Sequence, residues 1–328
     1  MSALPDAVRI EAIARQTMRW PFRLWGFGEA IALEGLLAGA DLLRREDYRQ
    51  YAVALCLATV ARGIGNADHT APGRALLALY RSTGDARFLE AARRLVALHE
   101  SFPRNPEGAL LVRADQPGWR HQIWVDSMDL IGPLFSEFGK ATGEDARYEQ
   151  AVALTLAHAR LLQAENGLFF HGYDTHAGPN GHLWARGNGW ALLGMVGTLS
   201  AVPAETPGRG ELLDRLKALV AALQAAQRPI GLWTTVIGRE ETYEETTLAA
   251  MAAYALRKAA LARLLDEAAL EPVIARAKAG VRAHIDGEGR LGRVSEATPV
   301  GQLATYATRP FGIFPWGQGP LLLMECEE

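Results

Sequence analysis

The feature that most limits how this chain can fold is a recurring punctuation between apolar stretches. Arg44-Arg45-Glu46-Asp47-Tyr48, Thr83-Gly84-Asp85-Ala86-Arg87-Phe88 and Thr142-Gly143-Glu144-Asp145-Ala146-Arg147-Tyr148 each combine a short turn, an acidic start and an aromatic residue. Acidic side chains favour a helix N-terminus because the backbone dipole is positive there, and glycine closes the helix before it. Each unit follows a segment rich in small and apolar residues: GEAIALEGLLAGADLL, GRALLALYRS and DSMDLIGPLFSEFGKA. In the second unit, Phe88, Leu89, Ala92, Leu95, Val96 and Leu98 form one broad stripe, with Glu90, Arg93 and Arg94 opposite. Asp85 is placed to cap that helix. The repeating unit is therefore a helical hairpin with one helix more buried than the other, although the spacing of the repeat is irregular.

Continued along the chain, the periodicity predicts twelve helices, starting near residues 5, 27, 46, 72, 86, 126, 144, 187, 209, 243, 268 and 316. Irregular segments at 63–71, 103–125, 164–186, 228–242 and 285–315 hold most of the Trp, His, Gly and Pro. Strands do not alternate with helices, which argues against a doubly wound nucleotide-binding fold. Paired helices can stack as an open solenoid or close into a toroid. A solenoid needs only short connections, whereas long aromatic-rich loops ahead of the inner helices suit a ring whose loops converge on one mouth. The expected fold is all-α, an (α/α)6 barrel of six helical hairpins, with residues 1–328 as a single domain.

Composition narrows the partners. A net charge of −3 with 49% hydrophobic and 22% charged residues excludes a disordered chain and gives no basic face for nucleic acid or a membrane surface. Cys56 sits in an apolar run and Cys326 near the end, so no disulfide framework is expected. Asp6, Arg9 and Glu11 interrupt the opening segment, leaving no signal-peptide core. No run of about eighteen apolar residues occurs. A cytoplasmic monomer or homodimer, with no nucleic-acid or membrane partner, is expected.

Five segments concentrate polar and aromatic side chains ahead of presumed inner helices. In Asn66-Ala67-Asp68-His69, Asp68 is either a helix cap or a carboxylate facing a pocket. In Trp124-Val125-Asp126-Ser127-Met128-Asp129, the two aspartates are three apart and can share a helix face. A carboxylate beside Trp124 and Met128 is partly desolvated, which favours its protonated form and suits a general acid; capping is the competing reading. His171, in FFHGYD, has aromatic neighbours, and His176 and His182 follow without the spacing of a compact zinc motif, so no metal is expected. Trp184-Ala185-Arg186-Gly187-Asn188-Gly189-Trp190 is the most specific segment. Its indoles can stack on sugar faces, and its guanidinium offers a planar fork to a carboxylate. The competing reading is a packing corner with Arg186 stacked between rings. Glu245 reads as a first-turn acid. Trp316-Gly317-Gln318 opens the last helix, with Gln318 placed to read a sugar hydroxyl. With no phosphate loop, nucleophile elbow or Cys-x-x-Cys, this mixture points to an anionic carbohydrate.

In this order, Asp68-His69, Trp124-Val125-Asp126-Ser127, Phe170-His171-Gly172, the Trp184–Trp190 segment, Glu245-Thr246-Thr247 and Trp316-Gly317-Gln318-Gly319 resemble glycoside hydrolase family 105. These are unsaturated rhamnogalacturonyl hydrolases, related to the unsaturated glucuronyl hydrolases of family 88. The resemblance runs from about Trp20 to Leu323 and implies an (α/α)6 barrel. It implies hydration of the 4,5-double bond in a non-reducing-end uronic acid, so the carboxylate-spacing rule of ordinary glycosidases does not apply. It makes Asp126 the general acid and base, Asp68 a second carboxylate, and His171 a contact near the reacting ring. Trp184, Arg186 and Trp190 become the platform and clamp, with Trp124, Trp316 and Gln318 as further substrate contacts. No cofactor is implied, and the partner is an unsaturated uronyl oligosaccharide. Asp129 and Leu130 depart from the family pattern and would bear on the acid or on a distal subsite. A glucuronyl substrate, an (α/α)6 epimerase-like enzyme and a non-catalytic helical-repeat binding protein are the competing readings.

Overall fold

The computed structural model describes residues 6–22 and 25–327, and the first five residues, part of the segment read as lacking a leader, lie outside them. The helices are α1 (Asp6–Met18), α2 (Phe27–Leu43), α3 (Glu46–Arg62), α4 (Gly73–Thr83), α5 (Ala86–Ser101), α6 (Ser127–Thr142), α7 (Ala146–Leu162), α8 (Ala185–Ala201), α9 (Arg209–Ala226), α10 (Thr247–Leu261), α11 (Glu267–Arg282), α12 (Leu303–Ala307) and α13 (Pro315–Cys326). All but the short α12 begin near an expected start. Asp85 accepts the Arg87 N–H at 3.0 Å, and Gly84 sits at φ 72°, as the capping reading requires.

Six helices close a ring in which α2 packs on α4, α4 on α6, α6 on α8, α8 on α10, α10 on α13 and α13 back on α2. Behind them lie α3, α5, α7, α9 and α11, and α1 packs behind α13, so the two ends of the chain supply the last hairpin. This is the (α/α)6 barrel. The sequence explains the two layers. Helices α8 and α10 are apolar or small on every side and are buried along almost their whole length, as an interior helix must be. In α5 the stripe faces inward and Arg93 and Arg94 face solvent.

Closing the ring demands small residues where α13 meets α2. A Cβ on Gly319 would lie 2.7 Å from Ala32 Cα, and one on Gly35 would lie 2.8 Å from the Gly319 carbonyl. Polar side chains also tie the ring. Arg74 of α4 donates to Asp129 of α6 through both Nη atoms (2.8 and 3.0 Å) and to Glu34 of α2 through Nε (2.9 Å). Asp129 is therefore turned into the ring toward Arg74 and not into a substrate subsite.

The long loops carry short antiparallel strands. They are β1 (Gln122–Trp124), β2 (Gly172–Asp174) and β3 (Gly178–Pro179) in one sheet, β4 (Trp233–Thr234) with β5 (Glu244–Glu245), and β6 (Val294–Ser295) with β7 (Phe311–Gly312). Glu245 thus belongs to a strand and not to the first turn of α10. No helix among the described residues is long and apolar enough to cross a membrane.

Two histidines outside the loops make stability depend on pH. His99 and His158 are wholly buried, bonded through one ring nitrogen to the His69 and Leu154 carbonyls at 2.8 Å. Burial pushes each from 6.5 to about 4. The unfolded chain takes up these protons near pH 6.5 and the folded chain does not until about 4. Their contribution is therefore intact above 6.5 and lost as the pH falls through this window. Each is expected to remove up to about 3 kcal/mol by the bottom of the window. Chemical denaturation across this range should show the loss, and His99→Phe should reduce its slope; an unchanged slope would refute the assignment.

Candidate active site

Strand pairing assembles the centre of the site. Trp124 lies opposite Gly172 in the β1–β2 ladder, and the Val125 N–H donates to the His171 carbonyl at 3.0 Å. This register carries Asp126, the residue before α6, against the His171 ring. The Asp126 carboxylate makes no capping bond to its helix. Its Oδ2 lies 3.3 Å from His171 Nε2 but off hydrogen-bond alignment, so both atoms are buried without a bonded partner. The other oxygen is the one open to the cavity described below.

Hydrogen bonding behind His171 favours one tautomer. The Tyr306 hydroxyl oxygen accepts from Asn180 Nδ2 (2.9 Å) and the Gly301 N–H (3.4 Å), and it lies 2.8 Å from His171 Nδ1. Its single proton has one acceptor within reach, His171 Nδ1. The neutral imidazole therefore carries its own proton on Nε2, facing Asp126. Burial holds His171 below its ordinary value despite the opposing pull of Asp126, and burial raises the Tyr306 phenol, so both stay neutral near pH 7.

Asp126 opens into a cavity of about 520 Å³ at the N-terminal ends of inner helices. Trp119, Trp124, Trp184, Trp190, Trp316 and Phe27 form its aromatic walls, and Glu29, Arg113, Arg186 and Arg309 bring charge. Phe27 stacks on Trp124 with centroids 6.4 Å apart, and Trp184 lies 4.2 Å from the His171 ring. Glu29 accepts from the Gly26 N–H (2.9 Å) and from Trp20 Nε1 (3.3 Å), and burial raises its carboxyl.

Arg186 gives both of its Nη atoms to the protein. Its Nη1 donates to Glu245 Oε1 (2.7 Å) and the Ser295 carbonyl (2.8 Å); its Nη2 donates to the Glu296 carbonyl (2.8 Å) and Thr298 Oγ1 (3.2 Å). The guanidinium lies over Trp184 at 4.6 Å and Trp316 at 5.4 Å. Burial lowers its proton affinity, against the pull of Glu245 and Asp126.

The structure gathers Asp126, Trp124, Trp184, Arg186, Trp190 and Trp316 around one cavity, with His171 directly behind Asp126. It does not bring the other expected residues to that wall. Asp68 pairs with Arg62 (2.6 and 3.2 Å) and accepts the Gly65 N–H (2.8 Å), holding the turn ahead of α4. Gln318 is buried and spends its amide on the Leu291 N–H (2.8 Å) and the Gly289 carbonyl (2.9 Å), so it anchors α13 to a loop. Six residues were missed from sequence: Phe27, Glu29, Arg113, Trp119, Tyr306 and Arg309. Glu29 had a signal, a lone acid three residues after Gly26 at the head of an apolar helix. Tyr306 had none, because its partners lie 126 and 135 residues away. Among the described residues, no group of three or more His, Cys, Asp or Glu is arranged to hold a metal ion.

Comparison with known proteins gives a consistent picture. The sequence profile of Glycosyl Hydrolase Family 88 matches residues 6–328. The unsaturated rhamnogalacturonyl hydrolase YesR of Bacillus subtilis (strain 168) is 27% identical over 325 residues, covering 94% of this chain and 91% of that protein. A family 105 glycoside hydrolase of C. acetobutylicum ATCC 824 superposes with a TM-score of 0.85 at 21% identity, over 98% of each chain. An unsaturated glucuronyl hydrolase from Bacillus sp. GL1 superposes with a TM-score of 0.74 at 19% identity, over 97% of this chain and 93% of that one. The two structures share the fold.

Two measurements test this geometry. Glu245→Ala leaves the buried Arg186 charge without its carboxylate and is expected to destabilise the protein by about 3–5 kcal/mol in chemical denaturation. A loss below about 1 kcal/mol would mean that the surrounding carbonyls suffice. Nitrogen NMR should find His171 protonated at Nε2, and Tyr306→Phe should mix the two tautomers. A wild-type proton on Nδ1 would overturn the donor count.

Proposed function

The chain belongs to Glycosyl Hydrolase Family 88, and from that premise we propose that it removes a 4,5-unsaturated uronic acid from the non-reducing end of lyase-generated oligosaccharides. The observation that carries this reading is Asp126, with one oxygen turned to His171 and the other open to an aromatic-walled cavity. The near full-length likeness to an unsaturated rhamnogalacturonyl hydrolase favours a galacturonyl residue from rhamnogalacturonan fragments. A cytoplasmic setting, with short imported oligosaccharides as substrates, completes the reading.

The double bond of such a ring is a vinyl ether, so its reactive carbon is C4. Protonated Asp126 transfers a proton from its open oxygen to C4, and the π electrons form the new C–H bond. Positive charge develops at C5 and is shared by the ring oxygen. Water adds at C5 and returns a proton to Asp126, which regenerates the acid. The resulting hemiketal breaks its bond between C5 and the ring oxygen, leaving a ketone at C5. The hemiacetal exposed at C1 then expels the neighbouring sugar as an alcohol. One water is consumed.

The protein's share is to place and stabilise. The His171 Nε2–H faces the Asp126 oxygen that does not deliver the proton, so it stabilises the carboxylate formed after transfer. The indoles of Trp124, Trp184, Trp190 and Trp316 offer apolar faces for the sugar rings. Asp68 stands one residue from His69, which packs edge-on against the cavity residue Phe27 at 6.1 Å. We assign Asp68 to orientation of that wall.

Loss of the ultraviolet band of the conjugated ene-carboxylate measures the reaction directly. Wild type should bleach rhamnogalacturonan-derived disaccharides faster than glucuronan-derived ones, and Asp126→Asn should be slower by about 100- to 10,000-fold. Faster bleaching of glucuronyl substrates would overturn the galacturonyl preference, and a flat wild-type trace on every disaccharide would overturn the hydrolase reading.

A further inference from the structure

A single cation among those at the cavity has its hydrogen-bonding fork unspent. Arg186 spends both Nη atoms on Glu245, Ser295, Glu296 and Thr298. Arg309 donates from Nε to the Thr305 carbonyl (3.2 Å) and from Nη1 to Glu296 (3.4 Å). Arg113, on the loop between α5 and β1, has its Nε buried without a partner, and no carboxylate among the described residues pairs with it. Its guanidinium instead lies over three rings: Trp119 at 4.5 Å, Trp124 at 4.8 Å and Phe27 at 5.8 Å.

This arrangement has a cost and a geometry. A buried donor left unpaired, here Nε, costs about 1–3 kcal/mol, and the Nη atoms are the donors that face a ligand. Aromatic rings occupy the faces of a guanidinium, while its N–H groups radiate in its plane. Trp119 and Trp124 stand 70° apart, so the guanidinium lies flat on one of them at most, and its Nη atoms remain for a planar anion, the partner of a two-pronged contact. Charge in the cavity agrees. Asp126 and Glu29 line the same space, and an anionic sugar entering it needs a cation that is not already neutralised. Asp126 is near enough to oppose the effect of burial on Arg113, so the two groups share one electrostatic environment.

We propose that Arg113, in place of Arg186, anchors the carboxylate of the terminal unsaturated uronate and so sets which ring faces Asp126. The assignment rests on the hydrolase reading above. Arg186 then shapes the wall, and Arg113 recognises the anion. The sequence-level clamp is displaced because burial and Glu245 consume the fork that made Arg186 attractive.

The test crosses two enzymes with two substrates. Wild type and Arg113→Met are assayed on an unsaturated uronyl disaccharide and on its uronate methyl ester, by band loss and by tryptophan-fluorescence binding. The intrinsic reactivity difference between the two double bonds cancels when the acid-to-ester ratios are compared. Arg113→Met is expected to lower kcat/KM for the acid by about 10- to 100-fold, the worth of a charge-assisted contact, and to change the ester by less than about 3-fold. Arg113→Lys, which keeps the charge and loses the fork, should fall between. Equal losses on acid and ester, or an unchanged acid preference in Arg113→Met, would overturn the anchor. Acid-selective binding that depends on Arg113 without any band loss would uphold the anchor and overturn the hydrolase reading.

Discussion

A guanidinium buried among two indoles and a carboxylate organises the mouth of this barrel. Arg186, from the first turn of α8, reaches Glu245 on β5 and the Ser295–Thr298 segment, and it lies between Trp184 and Trp316. Taking two charges out of water is expensive, and the interaction holds only where every donor finds an acceptor. Glu245 meets this demand on its own side by also accepting from Thr247 Oγ1 (2.7 Å). One ion pair thereby fixes the approaches to α8, α10 and α13 relative to one another. Backbone bonds reinforce it: Ala185 N–H donates to the Thr235 carbonyl (2.9 Å) and Thr246 N–H to the Arg293 carbonyl (3.1 Å).

The ring beneath has its own polar tie. Arg74 joins α2, α4 and α6 through Glu34 and Asp129, while α13 meets α2 through glycines that admit no Cβ. Both devices act between inner helices, where neighbours are far apart in sequence. Asp129 shows how closely the two systems are packed: it lies one helical turn beyond Asp126, yet it belongs to the ring and Asp126 to the mouth.

At the mouth, roles divide by how much of each side chain the protein has already used. Asp126 keeps an open oxygen because His171 stands behind the other, and His171 is held by Tyr306. Arg186 and Gln318 look like ligand-binding groups in sequence, but the Arg186 Nη atoms and the Gln318 amide are bonded from within. Arg113 looks like an ordinary loop arginine in sequence, but its fork is left unpaired among aromatic rings. Residue type says what a side chain can bind, and the count of its filled hydrogen bonds says whether it still can.

What the sequence by itself determined was local. The acidic and aromatic starts, the Asp85 cap and the apolar stripe of α5 follow from windows of a few turns, because helix periodicity and capping are properties of contiguous residues. The contrast between all-apolar and one-sided helices also separated inner from outer layers, which made the barrel legible. The Trp124–Asp126 and Trp184–Trp190 segments marked the mouth for the same reason: their residues are neighbours in the chain. Only the tertiary structure decided that α13 closes on α2, that Glu245 consumes Arg186, that Asp68 turns to Arg62, and that Tyr306 and Arg113 join the site. Except for the Asp68–Arg62 pair and the Arg113 contacts with Trp119 and Trp124, these contacts link residues tens to hundreds of positions apart. Their outcome depends on which groups packing leaves dry and unpaired, a quantity that no local pattern carries.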